Sequence, residues 1–382
     1  MVKMPSFSLA IYWHAAKITA WSAEDIACGG KGFLSVMARI QLTWTPSNQP
    51  RLPTNLVVKI PTMDKLSALK DMPMEFVDGI KQQLHTVRDT VEREGTLLCA
   101  GSRVPRISKG QSGAYLIMDD LLLKGNNRNF MTAQFLSRKQ AEQFIANIGQ
   151  MHAWSTQHAD WIRDLVFGDL NKSFAQSAAN SEQSVADLES MYREERYRLF
   201  LTDDEREKMA NLKVTAAELV EMTKYHRDYC GIPDVLVHGD IHLNNLMFHN
   251  DEHGNSTGDL LAIVDWQMIH IGNPCKDLAH LGFIVAPEMR TMDEQIKLLA
   301  IYYNAFQAQL EKYGKSMPFE LCTLESCFRR TAAMVVRSFV PIMLGFIKSF
   351  ASMDGANPDV VVPFFMEAFA GMVKTTLRQM GV

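Results

Sequence analysis

Three oxygen-bearing side chains fall close together in the second half of this 382-residue chain. The stretch His238-Gly239-Asp240-Ile241-His242-Leu243-Asn244-Asn245 sets a carboxylate and a carboxamide five positions apart, and Asp265 follows in the run Val264-Asp265-Trp266-Gln267. A strand-like apolar run precedes each acid, Val235-Leu236-Val237 before the first and Leu260 to Val264 before the second. Transfer of a phosphoryl group needs a carboxylate beside the accepting hydroxyl and divalent cations that bridge the phosphates and neutralise developing charge. Magnesium takes hard oxygen ligands in octahedral geometry, which an Asn and an Asp on adjacent loops supply. Asp240 is therefore the candidate to orient the hydroxyl and take its proton, and Asn245 and Asp265 are the candidate magnesium ligands. The bland alternative makes Asp240 and Asp265 surface turn residues.

An Asp with an Asn five positions on, and a further Asp beyond the next strand pair, is also the spacing of kinase catalytic loops. Upstream, Val57-Val58-Lys59 is similar to the strand lysine of V-A-I-K. A lysine among apolar neighbours is costly to bury unless paired. On a helix advancing about 100° per residue, Glu94 shares the stripe of Val87 and Val91 whereas Glu92 faces away, so Glu94 is the expected partner. The alternatives are an edge-strand lysine with its tip in water and an ordinary helix ion pair for Glu94. Gly29-Gly30-Lys31-Gly32 lacks P-loop spacing. Before a long strand and upstream of Lys59, the backbone N–H groups of Gly30 and Gly32 can cover phosphates, with Ser35 adding a hydroxyl. Met118 and Asp119, in Met118-Asp119-Asp120-Leu121, fall where two lobes would join, and backbone groups there would read the edge of adenine.

The elements that position these residues show in the hydrophobic pattern. Leu34, Val36, Ala38, Ile40, Leu42 and Trp44 alternate with Ser35, Arg39, Gln41 and Thr43, Met37 being the exception, which predicts a half-buried strand. Two further strands are expected at Asn55 to Ile60 and Ala114 to Met118, with a helix at about 75–98 between them. From about residue 130 helices dominate: 138–157 carries Phe144, Ile148 and Met151 on one stripe, and 181–229 is charge-rich and amphipathic. A β-rich island at 235–266 interrupts them, with Leu246-Met247-Phe248 and Leu260 to Val264 flanking a hydrophilic tip as a hairpin. The expected fold is α+β and bilobal, a small β-rich N-lobe with one main helix over 1–120 and a larger, mostly helical C-lobe over 121–382. His152 and His238 are expected to be packed and hydrogen-bonded, His238 bracing the loop, and Asp277 to cap or anchor a helix. His242 faces either substrate or solvent. Phe283, Tyr302 and Tyr303 are either pocket wall or core.

Composition narrows the class. Charged residues are 21% and hydrophobic residues 47%, ordinary for a soluble globular chain. With 39 basic against 43 acidic side chains and no Lys/Arg run, the electrostatic footprint of a nucleic-acid binder is missing. The cysteines show no CxxC pairing. The first residues lack the apolar core and small-residue cleavage site of a secretory signal. Thr331 to Phe350, interrupted by Arg337, Pro341 and Lys348, reads as a buried helix with a break rather than a membrane span. A cytoplasmic protein without membrane partners is the expectation.

With these residues in place, the chain resembles the ecdysteroid-kinase-like and choline-kinase-like (CHK) group of the aminoglycoside phosphotransferase/choline kinase superfamily. The resemblance lies in Gly30 to Ser35 (GKGFLS), Lys59, Glu94, Met118 to Leu121, Gln150 to Trp154, His238 to Phe248 and Ile263 to Gln267. It implies a bilobal kinase-like fold, ATP and magnesium as cofactors, and a small-molecule hydroxyl as acceptor (steroid-, choline- or glycoside-like). By matching position it makes Asp240 the base, Asn245 and Asp265 metal ligands and Lys59 a phosphate contact. His242 departs from the aromatic residue common there in the CHK group and looks more like the aminoglycoside kinases. Gly239 stands where protein kinases carry Arg, which disfavours protein phosphorylation. A nucleotide-binding pseudokinase or scaffold is the alternative from another class; loss of Asp240, Asn245 or Asp265 would mark it, and all three are present.

Overall fold

The computed structural model describes residues 17–26, 35–45, 53–61, 116–127, 135–158, 201–211, 216–266, 269–335 and 358–379. They fall into two compact units, with the sequence break between Leu123 and Lys124.

In the first unit, β1 (Lys17–Asp25), β2 (Ser35–Thr45), β3 (Asn55–Pro61) and β4 (Leu116–Asp119) form an antiparallel sheet in that order. The period-two pattern of β2 is realised: Ala38, Ile40, Leu42 and Trp44 are buried while Gln41 and Thr43 are exposed. β3, paired on both sides, buries Leu56, Val57 and Val58 in succession. β1 is an addition to the expected strands. Its residues are largely exposed, so no alternation reveals it; its register comes from pairing, Lys17↔Thr45 through Asp25↔Ala38, with an irregularity between Ile18 and Ala20. The expected helix at 75–98, with Glu92 and Glu94, the Gly29–Gly32 turn, and residues 114–115 lie outside the described residues.

The second unit begins with β5 (Gly125–Asn127) and α1 (Arg138–Thr156). Ser137 starts α1 with a capping box: its hydroxyl accepts the Gln140 amide, and the Gln140 side chain accepts the Ser137 amide at 3.0 Å. Next come α2 (Asp203–Asn211), α3 (Ala216–Asp228), β6 (Val235–Val237), β7 (Leu246–Asn250), β8 (Ser256–Ile263) and β9 (His270–Gly272). The helices α4 (Cys275–Ala279), α5 (Leu281–Ile284), α6 (Met292–Glu311), α7 (321–335) and α8 (Pro358–Gln379) complete it. Phe144, Ile145 and Ile148 of α1 join Leu298, Tyr302 and Phe306 of α6 in one core. Gly149 permits the approach, since a Cβ there would stand 2.8 Å from the Tyr302 carbonyl oxygen. β5, β7 and β8 form one small sheet, and β6 pairs with β9 in another.

The hairpin strands run further toward the tip than expected, leaving 251–255 as the turn. Asp251 Oδ1 accepts the amides of His253 and Asn255, and the Asp251 amide reaches the Asn255 carbonyl at 2.8 Å, closing a polar stretch into a tight loop. Among the described residues, no helix is long and apolar enough to cross a membrane. Residues 331–335 are helical, and the remainder of the expected broken helix, like residues 181–200, lies outside the described residues.

Candidate active site

β6 is buried throughout and hands the chain to His238, whose ring is also fully buried. Its Nε2–H donates to the Val264 carbonyl at 3.0 Å, and its Nδ1 accepts the Asp240 amide at 3.2 Å. A nitrogen that accepts an N–H carries no proton, so this ring is neutral with a fixed tautomer. Burial acts in the same direction, pushing its pKa down against the attraction of Asp277 and Asp240. Gly239, at φ 82°, takes the left-handed turn that sends the loop onward.

Asp240 and His242 are each about a third exposed, with His242 Nε2 3.7 Å from Asp240 Oδ2. Asn245 is buried; its Nδ2 donates to the Asp240 carbonyl at 2.9 Å, and its own carbonyl accepts the Val264 amide at 2.9 Å. With Nδ2 committed to the loop, Oδ1 remains as the oxygen this side chain can offer a cation. The register Leu246↔Ile263 sets the start of β7 beside the end of β8, which brings the residues flanking them together. Asp265 has φ 64°, the only positive value at a non-glycine position among the described residues. Asp tolerates this region better than most residues, and such outliers gather at functional sites. Trp266 lies against the His238 ring, centroids 4.5 Å apart, and its Nε1–H donates to the Ile263 carbonyl at 2.8 Å.

Beneath the loop lies Asp277, fully buried. Its Oδ2 accepts the His238 amide at 2.7 Å and its Oδ1 the Gly239 amide at 2.9 Å. His152 Nε2–H reaches Oδ2 at 3.3 Å, while His152 Nδ1 meets the Tyr302 hydroxyl at 2.9 Å. Of the two roles expected for Asp277, the helix cap is corrected, since α4 has Pro274 at its N-cap and no side-chain cap bond; as an anchor, Asp277 ties α4 to α1 and to the loop after β6. A buried carboxylate must find donors, and here two loop amides outside any strand ladder supply them. Burial by itself would raise this carboxyl's pKa, yet the His152 hydrogen bond and the Gly239 amide hold it well below the usual carboxylate range. Sequence reasoning did not identify the anchor's partners, His152 and the His238 and Gly239 amides. Part of the signal was present, because His152 and His238 each follow apolar residues and need a polar partner once buried. Tyr302 and Phe283 belong to the core, and the Tyr303 hydroxyl donates to the Phe319 carbonyl.

In the first unit, Lys59 is half-buried on β3, in register with Met37 on β2 and Leu116 on β4. Ser35 opens β2 opposite Pro61, and Met118 and Asp119 face Val57 and Leu56 across the β3–β4 ladder. Asp120 is buried and takes the Arg39 Nε–H at 2.5 Å and the Leu122 amide at 3.1 Å, a brace that sequence reasoning did not single out. The structure thus sets Ser35, Lys59, Met118 and Asp119 on one sheet, and ties Asp240 and Asn245 by hydrogen bonds to Val264, the residue before Asp265. Gly30, Gly32, Glu94 and Gln267 lie outside the described residues.

A model of the ecdysteroid kinase-like family matches residues 29–315. A Caenorhabditis elegans protein named as the uncharacterized oxidoreductase dhs-27 is 25% identical over 348 residues, 80% of this chain. The chain spans only 38% of that relative's length. Among solved structures, choline kinase from Cryptosporidium parvum has a TM-score of 0.51 at 11% identity, covering 94% of this chain and 91% of that one. An aminoglycoside phosphotransferase from Alicyclobacillus acidocaldarius has a TM-score of 0.46 at 12% identity, covering 95% of this chain and 92% of that one. The likeness to choline kinase is one of fold: protein-kinase-like, with a β-rich N-terminal part and a helical C-terminal part.

Proposed function

Since the chain belongs to the ecdysteroid kinase-like family, we propose that it is an ATP-dependent small-molecule kinase, moving the γ-phosphoryl group onto a hydroxyl of a metabolite or xenobiotic (steroid-, choline- or glycoside-like). The observation that carries this reading is the knot in which His238, Asn245 and Val264 tie the Asp240 loop to the residue before Asp265.

Asp240 would orient the acceptor hydroxyl and take its proton. Both its backbone groups are committed, N–H to His238 and C=O to Asn245, while its carboxylate remains partly open to solvent. A base held this way loses little entropy on reaching the reactive arrangement. Asn245 Oδ1 and the Asp265 carboxylate would hold magnesium. One amide oxygen and one carboxylate fit a cation that takes its other ligands from phosphate and water. When bound, magnesium neutralises charge developing on the transferred group. Lys59, paired with Glu94, would contact the phosphates, Gly30, Gly32 and Ser35 would cover them, and the backbone of Met118 and Asp119 would read adenine. Residues 1–120 would then be the nucleotide lobe and 121–382 the catalytic and acceptor lobe.

The test is incubation with ATP, magnesium and a panel of steroid, amino-alcohol and glycoside acceptors, read as a mass gain of one phosphate. Asp240→Asn is expected to keep the fold and nucleotide binding while turnover falls about 10²–10⁴-fold. Full activity in that variant would remove Asp240 from the mechanism. Nucleotide binding with no acceptor modified would favour a scaffold.

A further inference from the structure

Tyr302 is among the largest fully buried side chains of the molecule, and it carries a hydroxyl where Phe144, Phe248, Phe306 and Phe328 carry none. A buried O–H is costly without an acceptor, so its partner is informative. Among the described residues, the hydroxyl has one hydrogen-bond partner, His152 Nδ1 at 2.9 Å. The other ring nitrogen, Nε2, meets Asp277 Oδ2 at 3.3 Å. Tyr302, His152 and Asp277 are all fully buried, so none of them can turn to bulk water instead.

The direction of each bond follows from what the atoms can donate. Both Asp277 oxygens accept loop amides, Oδ2 that of His238 at 2.7 Å and Oδ1 that of Gly239 at 2.9 Å, so the carboxylate offers His152 an acceptor and nothing more. Nε2 therefore carries a proton. The Tyr302 O–H has a single partner and donates to it, so Nδ1 carries none. A proton on Nδ1 would leave the phenolic hydrogen without an acceptor in the core. Moving the ring proton from Nε2 to Nδ1 would also turn a bare nitrogen lone pair toward the carboxylate. The backbone around the ring is pinned from two sides. Gly149 admits the α6 backbone, since a Cβ there would stand 2.8 Å from the Tyr302 carbonyl oxygen. Ser155 Oγ donates to the His152 carbonyl at 2.6 Å and accepts the Leu236 amide of β6 at 2.9 Å. What is left to set is which nitrogen holds the proton.

We propose that Tyr302 is a positioning residue for Asp240: its hydroxyl, donating to His152 Nδ1, keeps the ring proton on Nε2, where it holds Asp277 against the two amides that lead into Asp240. Treating Asp240 as the base rests on the kinase reading above; the chain of bonds does not. The chain runs in series from α6 to the loop, Tyr302 O–H to Nδ1, Nε2–H to Asp277, and Asp277 to the His238 and Gly239 amides. The His238 ring carries the constraint one step further by accepting the Asp240 amide at 3.2 Å. No proton is transferred along it. Hydrogen bonds in such a series polarise one another, so removing the first weakens the rest.

The experiment takes the whole protein with isotope-labelled histidine, reads the ring nitrogens by NMR, and compares Tyr302→Phe with Tyr303→Phe. Tyr302→Phe removes one oxygen and keeps the ring that packs against Phe306, so the core volume is preserved. Tyr303→Phe removes the neighbouring hydroxyl on the same helix, which donates to the Phe319 carbonyl and has no bond to the anchor. His152→Gln assigns the His152 signals by their loss. The unaltered protein should show a protonated Nε2 and a bare, hydrogen-bonded Nδ1. In Tyr302→Phe the Nδ1 signal should move as its donor is lost. Amide exchange at His238 and Gly239 should rise about fivefold, as for the loss of one ordinary hydrogen bond. Tyr303→Phe should leave both readouts where they were. A His152 ring protonated on both nitrogens, or on Nδ1 alone, overturns the chain, and the spectrum of the unaltered protein decides this even where a variant folds poorly. Unchanged exchange in Tyr302→Phe overturns the coupling to the loop; an equal rise in Tyr303→Phe overturns it as well, showing a general loosening of α6. Neither readout requires turnover, so failure here and failure of the kinase assay are told apart.

Discussion

The two units hold their candidate residues by opposite means. In the second, side chains grip backbone: Asp277 takes two consecutive loop amides, His238 spans from Asp240 to Val264, and Asn245 returns to the Asp240 carbonyl. In the first, backbone grips backbone: Lys59, Met118 and Asp119 stand where the β2–β3–β4 ladder puts them, with Arg39–Asp120 as a cross-brace. A ladder fixes strands through many modest hydrogen bonds, none decisive alone. A loop has no ladder, so its geometry is concentrated in a few buried polar groups, each expensive to lose. Precision at the candidate base is therefore stored in large part in Asp277 and His238, buried side chains outside the proposed catalytic and metal-binding set.

The largest effect should come from removing the grip itself. Asp277→Ala leaves two loop amides and His152 without their acceptor, and a cost of about 3–5 kcal/mol is expected in urea denaturation, as when one partner of a buried charged network is deleted. A cost under about 1 kcal/mol would mean that the loop is held elsewhere. The pH dependence has a definite sign. Asp277 has a folded pKa below its unfolded value, so its contribution is complete above about pH 4 and is lost as pH falls through the folded value. The variant should show a correspondingly flatter acid limb.

Asp120→Asn asks whether the sheet has any comparable single point. It weakens a charge-assisted hydrogen bond to Arg39, whose side chain remains about a fifth exposed, so the loss should fall toward the lower end of about 1.5–3 kcal/mol. A loss matching that of Asp277→Ala would erase the contrast. Gly239→Ala probes the loop from its backbone. At φ 82° an L-residue is strained by about 1–2 kcal/mol, and the same denaturation measurement should show it. An unchanged midpoint would mean that the loop relaxes to another conformation.

Legibility in the sequence divides along the same line. β2 could be read because one face is buried and period two survives along it; even the irregular Met37 is intermediate in burial. Asp240, Asn245 and Asp265 stand out in the sequence by the residue types and spacing that phosphoryl transfer would need, and the structure adds the bonds that Asn245 makes to the backbones of Asp240 and Val264. The three-residue strands β5 and β9 could not, since each exists only by pairing with β7 or β6. Gly125 shows the reason: a Cβ there would stand 2.2 Å from the Phe248 carbonyl oxygen, a demand set by a residue distant in sequence. Asp277 was visible as a residue and not as a role, because its partners come from α1 and from the loop after β6. Local pattern names a helix cap; only tertiary proximity names an anchor.

β1 gives the smallest expected effect and the sharpest test of how the sheet is held. Trp21 is 56% exposed, although its register partner Leu42 on β2 is only 5% exposed. A large aromatic side chain normally anchors whatever it packs against. Here it stands on an edge strand with one ladder partner, and most of its surface faces water. Trp21→Ser should therefore change stability by less than about 0.5 kcal/mol, as for a surface position outside any buried network. If the sheet were instead held by side-chain packing across its edge, the same substitution would cost several times more. That result would place the two units under one rule, with buried side chains and not the ladder fixing the strand that carries Lys59.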